Sequence, residues 1–250
     1  MTRSRGLGDV YKRQLHILGK TRKISCSNIK MLVFDMAGTT VNEHGIVYDT
    51  IFETLSKFGV GVSPREIEKW HGANKYEVFD HYLESNDVFK MHSDQKQIKI
   101  KKEVYNYFNS TLEEKYFTSD KISLIHDGLP GILNGIREKG IKVTLNTGYN
   151  KNIQSSIIDK LGMDDFIDDY ISSEEVPKGR PYPYMIYKLM ERNDVKSANE
   201  VIKIGDTKND ILEGINAKCK ASVGVLTGAD NSQLLSHSTV VIDDITKIQL

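Results

Sequence analysis

Met31–Thr40 reads MLVFDMAGTT. The stretch Met31–Phe34 is wholly apolar, Asp35 stops it, and Ala-Gly-Thr-Thr follows at 37–40. A short apolar run ended by an acid and a small-residue turn reads as a buried strand that carries a carboxylate at its end. Downstream of Ile125 the same kind of strand alternates with helical patterns. A helix at 129–139 ends at Gly140 and precedes strand 142–147 (KVTLNT). A helix at 151–161 ends at Gly162, and a strand lies near Tyr170–Ile171. A helix at 183–192 leads to strand 201–205 (VIKIG). A helix at 209–217 leads to strand 221–226, and strand 239–243 (TVVID) comes near the end. Strands alternating with helices make βαβ units, hence a parallel sheet in an α/β fold.

From Ile46 to Phe117 the pattern is helical instead. Ile51, Leu55 and Phe58 recur at helical spacing. Ser63-Pro64-Arg65-Glu66 has the form of a capping box with proline at the first helical position. Gly72 interrupts, Asn74–Leu83 starts another helix, and Ser93–Tyr116 is long, charged and amphipathic. The expected organisation is therefore a catalytic core of 31–40 and 126–250, with a helical block, 41–125, inserted after the first strand. Ser4–Gln14 (SRGLGDVYKRQ) matches one translated frame of a transposon-based sequencing adaptor. Residues 1–14 are accordingly expected to be foreign to the fold, and 15–30 to be an extension upstream of a start at Met31.

The chain has 250 residues, which suits one large domain or a domain with one insertion. Lys+Arg and Asp+Glu both number 34, so the formal charge is zero. That balance argues against nucleic-acid or polybasic membrane binding, which need excess positive charge. Two cysteines, Cys26 and Cys219, make no disulfide framework and favour a reducing, cytoplasmic setting. No apolar run approaches the roughly 20 residues of a membrane span, and no signal peptide is evident.

Parallel sheets bind ligands beyond the carboxyl ends of their strands, and the informative polar residues fall there. Asp35 follows MLVF, Thr147-Gly148 follows VTLN, and Asp206 follows VIKIG, with Asp210 opening the next helix. Arg180 lies in KGRPYP, between a strand and its helix. Singly, each has an ordinary explanation as a cap, a turn or a surface charge. Together they describe a chemistry. Asp35 and Asp206 are hard oxygen ligands suited to Mg²⁺. Thr147 offers a hydroxyl and Gly148 an N–H to phosphoryl oxygens. Arg180 supplies a fixed positive charge. A carboxylate that attacks phosphorus to give an acyl phosphate is a known form of covalent catalysis.

DMAGTT at 35–40, LNTG at 145–148, GRPYP at 179–183 and GDTKND at 205–210 resemble, in order, the four motifs of the haloacid dehalogenase superfamily. The resemblance covers about residues 30–246. It implies a Rossmann-like core, a helical C1 cap at 41–125, and Mg²⁺ held by Asp35, the Ala37 carbonyl and Asp206. Asp210 would orient metal-bound water, with Thr39 and Asn209 in support. Within the superfamily the chain is most similar to the phosphonatase (phosphonoacetaldehyde hydrolase) branch, because Ala37 replaces the acid that phosphatases carry two residues after the nucleophile. General acid–base catalysis contributes roughly 10²–10⁴-fold, and Ala37 offers none. Phosphonatases instead join a cap lysine to the substrate aldehyde as a Schiff base. Lys75 in Gly72-Ala73-Asn74-Lys75 matches that lysine, and would contact the substrate in a phosphatase too.

The chain departs from the phosphonatase pattern at Val78, His71 and Gly45, where that branch carries His, Met and Cys. Two enzymatic readings stay open. One is cleavage of the C–P bond of a small phosphonate such as phosphonoacetaldehyde. The other is hydrolysis of a small phosphomonoester, with water or His71 doing the proton work. A dehalogenase is disfavoured because Asp206 suits a metal site. A catalytically silent module is disfavoured by the complete set of motifs. Relatives dimerise through the cap; Trp70, Phe79 and Tyr82 are candidates for such a homodimer contact, but a place in the cap core is the preferred reading for them.

Overall fold

The computed structural model describes residues 15–19, 23–70, 73–118, 122–233 and 235–249. The expectation for residues 1–14, and the candidates His71 and Gly72, lie outside these. The strands are β1 (Leu15–Leu18), β2 (Lys23–Cys26), β3 (Met31–Asp35), β4 (Val41–Asn42), β5 (Ser123–Leu124), β6 (Lys142–Thr147), β7 (Asp169–Ser172), β8 (Val201–Gly205), β9 (Ala221–Val225), β10 (Val240–Ile242) and β11 (Ile248–Gln249). The helices are α1 (Ile46–Lys57), α2 (Pro64–Ile67), α3 (Lys75–Ser85), α4 (Asp87–Lys90), α5 (Asp94–Thr118), α6 (Leu129–Arg137), α7 (Lys151–Leu161), α8 (Tyr184–Arg192) and α9 (Lys208–Asn216).

Among the described residues the central sheet runs β10-β9-β8-β3-β6-β7, and every pairing in it is parallel. A parallel sheet of this kind is covered on both faces, so its strands are apolar throughout. β3 meets that demand, being buried at all positions. Its residues alternate between two cores, as period-2 geometry requires. Met31 and Val33 pack with Met185, Ile186 and Leu189 of α8. Leu32 and Phe34 join the larger core with Leu133 and Ile136 of α6 and Ile153 and Ile157 of α7.

From β3 the chain builds outward through β6 and β7, then returns to the other side of β3 for β8, β9 and β10. The crevice at such a reversal is where open α/β sheets hold ligands. Register aligns the edge there. Asp35 lies opposite Asn146 of β6, and Phe34 opposite Ile204 of β8. Asp35, Thr147 and Asp206 therefore leave three adjacent strands at the same level.

The helical insert packs chiefly through α1 and α5. α1 buries Val47, Thr50, Ile51, Thr54 and Leu55, and α5 buries Val104, Phe108, Leu112 and Tyr116. Both sets follow the three- and four-residue spacing of one helix face. The Ser63 box forms, with the Ser63 N–H donating to the Glu66 carboxylate at 2.8 Å. Phe79 is fully buried among these helices, so it is core and not an outward contact. Trp70 and Tyr82 are half-buried, and the His81 ring lies beside both, 4.9 and 5.1 Å between centroids.

Two features differ from the expectation. The insert is bracketed by a short antiparallel ladder that pairs Val41 with Leu124 and Asn42 with Ser123. Two-residue strands carry no readable periodicity. Residues 15–30, expected to be an upstream extension, instead supply β1 and β2. β1 pairs with both β2 and β11, and Leu15 and Ile17 are buried. Phe34 sits at the centre of the larger core with no exposed surface. Phe34→Ala is expected to lower stability by about 3–5 kcal/mol, read as a shift in the urea unfolding midpoint.

Candidate active site

Asp35, Thr147, Arg180 and Asp206 line one small cleft together with Ala37, Tyr48, Lys75, Gly148 and Tyr149. Its charged members are all buried. Arg180 Nη1 is 2.7 Å from Asp35 Oδ1 and also pairs with Asp210 Oδ1. Burial disfavours the guanidinium charge, but Asp210 and Asp35 outweigh it, so Arg180 is held more firmly protonated than a free arginine. Its Nε is buried with no hydrogen-bond partner among the described residues, a donor left for a ligand.

The Asp206 carboxylate is seated by its surroundings. Its Oδ2 accepts the Ala229 N–H at 2.7 Å, and its Oδ1 accepts the Thr39 hydroxyl at 3.3 Å. A Cβ at Gly38 or Gly228 would fall 2.6 or 2.0 Å from Asp206 Oδ2, and Gly38 has φ +78°. Both positions therefore need glycine. Thr39, expected in a supporting role, touches the site through this hydrogen bond to Asp206. Asn209 is half-buried on the first turn of α9 and is not among the residues lining the cleft.

Asp210 plays a different part from Asp35 and Asp206. Its Oδ1 is 2.7 Å from Lys203 Nζ and pairs with Arg180. Its Oδ2 accepts the Thr207 N–H at 3.2 Å and the Thr207 hydroxyl. Burial pushes its pKa up, but Arg180 and Lys203 overcome this and hold it at about 2. With both oxygens engaged by protein donors, Asp210 braces Arg180.

Sequence reasoning missed Lys203, although a lysine inside VIKIG is itself a signal. A cation in a strand buried on both faces demands a buried partner. Lys203 has no exposed surface. Besides Asp210 it bonds Asn146 Oδ1 at 2.9 Å and lies 3.7 Å from Glu213, whose carboxylate accepts the Asn146 amide at 2.9 and 3.0 Å. Burial pushes Glu213 up to about 7, partly offset by Lys203.

Lys75 opens α3 and is only 7% exposed. Asn74 caps the helix, accepting the Tyr76 N–H at 2.8 Å, and donates to Ser173 Oγ of the core at 2.9 Å. That bridge carries the first residue of α3 into the cleft. Lys75 Nζ lies 4.9 Å from the Tyr48 ring centroid, within cation–π range. Burial pulls its pKa down to about 8; Arg180 adds to this, while Glu43, Asp35 and Asp206 oppose it. Val78, at the position where the phosphonatase pattern carries histidine, is buried with no exposed surface.

Asp35, Asp206 and Asp210 each offer an oxygen within 4.8 Å of the others. Burial and the nearby charges of Asp35 and Asp210 raise Asp206 well above the ordinary carboxylate range. Burial likewise raises Asp35, against the pull of Arg180. Crowded hard oxygens short of positive charge, with a small-residue cradle around one of them, fit a divalent cation of the Mg²⁺ type.

The haloacid dehalogenase-like hydrolase family profile matches residues 32–224. The chain belongs to that family, and it is a hydrolase. It is 31% identical over 225 residues to the phosphonoacetaldehyde hydrolase of Bacillus cereus strain ZK, covering 86% of this chain and 82% of that protein. An enzyme of the same name from another Bacillus cereus strain is 27% identical over 224 residues, covering 87% and 83%. Among solved structures, a phosphonoacetaldehyde hydrolase-like protein from Oleispira antarctica matches with TM-score 0.70 at 22% identity, over 88% of this chain and 89% of that one. The β-phosphoglucomutase of Clostridium difficile matches with TM-score 0.72 at 22% identity, over 89% and 94%. These two likenesses concern the fold.

Removing the Lys203 charge takes one of two cations from Asp210 and the nearby cation from Glu213, both fully buried. Lys203→Met is expected to cost about 3–5 kcal/mol, measured by equilibrium denaturation at pH 7, a larger loss than an exposed Lys→Met change causes.

Proposed function

We propose that this chain is a Mg²⁺-dependent, phosphonatase-type hydrolase that cleaves the C–P bond of a small phosphonate aldehyde such as phosphonoacetaldehyde. The observation that carries the reading is Lys75, buried in the same cleft as Asp35 and Arg180 and softened to a pKa of about 8. A lysine that must add to a carbonyl has to be partly neutral, and desolvation is one way to achieve it. Ala37 lines the cleft where a phosphatase would carry its acid, so the leaving group needs another route.

Asp35, Asp206 and the Ala37 carbonyl would hold the metal, whose charge neutralises phosphoryl oxygens in the transition state. Thr147, Gly148 and Arg180 hold the phosphoryl oxygens and aim phosphorus at Asp35. The neutral Lys75 amine condenses with the aldehyde and expels water, giving a protonated imine. Asp35 then attacks phosphorus, the P–O bond forms as the C–P bond breaks, and the released electron pair enters the imine as an enamine. Because the electrons have this sink, no alkoxide leaves and no acid at position 37 is needed. Water hydrolyses the aspartyl phosphate, and the enamine is protonated and hydrolysed to free Lys75. Closure of the helical cap, whose Asn74 grips Ser173, keeps bulk water from the imine.

A substrate panel with free phosphate as readout tests this. Phosphonoacetaldehyde should outperform small sugar and alkyl phosphates, and Asp35→Asn should fall to the blank. Borohydride with the aldehyde should trap a covalent adduct on Lys75, faster as pH rises through about 8 because the neutral amine grows. Lys75→Arg keeps the charge and cannot form an imine, so it should lose both trapping and C–P cleavage. Turnover of phosphate esters with no trapped Lys75 would assign the phosphomonoester reaction instead.

A further inference from the structure

The residues on either side of Lys75 are each tied to the core. Before it, Asn74 donates to Ser173 Oγ at 2.9 Å. After it, the Tyr76 hydroxyl oxygen accepts the Asn109 amide at 2.8 Å, and the Asn109 oxygen accepts the Asn150 amide at 2.8 Å. Tyr76 is in the first turn of α3, Asn109 lies within α5, and Asn150 is the N-cap of α7. Lys75, Tyr76, Asn109, Gly148, Asn150 and Ser173 all line one narrow crevice, which shares Lys75 and Gly148 with the cleft that holds Asp35.

The direction of this relay is fixed from the core end. The Asn150 oxygen accepts the Ile153 N–H at 2.8 Å, as an N-cap must. An amide whose oxygen is so engaged turns its nitrogen to Asn109. Asn109 then presents its oxygen to Asn150 and its nitrogen to Tyr76. Asn150 is also close in chain to the phosphate seat. The Thr147 hydroxyl oxygen accepts the Tyr149 N–H at 3.2 Å, which draws this segment into a tight turn.

Helix α5 meets the same turn at a second point. Seven residues beyond Asn109, two helical turns along one face, is Tyr116. Its hydroxyl is 2.7 Å from that of Tyr149, and both meet the buried Glu43 carboxylate. Four residues before Asn109, on the same face, Tyr105 packs its ring on Tyr76 at 4.6 Å between centroids. Apolar contact alone could hold an insert against a sheet. What the amides add is direction, because hydrogen bonds fix one turn of α3 relative to one turn of the phosphate loop.

We propose that Asn109 is a positioning residue for Lys75: with Tyr76 and Asn150 it forms a hydrogen-bond relay that couples the seating of a phosphoryl group at Thr147-Gly148 to the placement of the lysine beside it. This deepens the proposed function. It rests on the assignment of Thr147-Gly148 as the phosphoryl seat and is independent of imine formation.

The amides that report on the relay are those of Tyr76 and Glu77, which donate to the Asn74 side chain at 2.8 and 3.4 Å. The test is hydrogen exchange of the whole protein, read by mass spectrometry on the peptide that spans this turn, with and without inorganic phosphate and Mg²⁺. In the parent, phosphate should slow exchange there. Asn109→Leu, close in volume, is expected to speed it roughly fivefold without phosphate and to remove the response to phosphate. By reciprocity, the affinity for phosphate should fall by the coupling factor that is lost. Tyr76→Phe keeps the ring on Tyr105, cuts the relay at its other end, and should do the same; it also serves if Asn109→Leu does not fold. Both changes break one relay, so the double variant should go no further than either alone. A merely structural role predicts faster exchange along α1 and α5 as well, additive effects, and a response to phosphate that survives in the variants. That pattern, or a parent whose α3 turn ignores phosphate, overturns the proposal. None of these readouts needs turnover, so inactivity toward phosphonoacetaldehyde would sink the C–P reading and leave this inference still decided.

Discussion

Three buried carboxylates crowd one end of the central sheet, and much of the site's architecture answers that crowding. Asp35, Asp206 and Asp210 offer oxygens within 4.8 Å of one another. At such separations in a partly desolvated site, unit charges repel by several kcal/mol. Arg180 bridges Asp35 and Asp210 from the β7–α8 loop, and Lys203 supports Asp210 from below, inside β8. Two fixed cations thus accompany three acids, with Glu213 as a further acid one layer deeper. Neither cation pairs directly with Asp206, and its proton affinity rises accordingly. The same imbalance suits the cluster to a divalent cation.

The organic half of the cleft is built by the insert and reads as a second electrostatic problem. An ammonium at the first turn of a helix meets the positive end of the helix dipole. Lys75 also meets burial and the Arg180 charge, against which stand Glu43, Asp35 and Asp206. The resulting balance leaves the amine near the edge of ionisation. Ala37 makes sense in that setting. A carboxylic acid at position 37 would add a further negative charge beside the cluster and hold Lys75 protonated, so the missing acid and the softened lysine favour one another.

Much of this was legible in residue order. The apolar runs at 31–34, 142–147 and 201–205 identified the strands, because strands buried on both faces cannot hide their composition. Their last residues identified Asp35, Thr147 and Asp206, because parallel sheets expose chemistry at carboxyl ends. Pairing was not legible. The Val41–Leu124 ladder and the β1–β2–β11 sheet rest on contacts distant in sequence and on segments too short to show a period. Burial of polar groups was only partly legible. Lys203 inside VIKIG was visible as an anomaly, whereas Glu43 in VNEHG looks like an ordinary loop acid. Only folding brings Tyr116 and Tyr149 to it. Asp210, expected near the metal, also meets Arg180, Lys203 and Thr207, contacts that linear order does not reveal.

The crowding account is tested most directly by the thermal stability of Asp206→Asn with and without Mg²⁺. A carboxyl whose proton affinity is raised in the folded state withdraws stability as pH climbs from the ordinary carboxylate range through the raised value. At pH 7 the amide, which keeps an acceptor for Ala229, should therefore make the metal-free protein melt higher than the parent. Mg²⁺ should raise the melting temperature of the parent and leave the variant unmoved. A variant that melts lower without metal, or that gains as much from Mg²⁺ as the parent, would contradict the account.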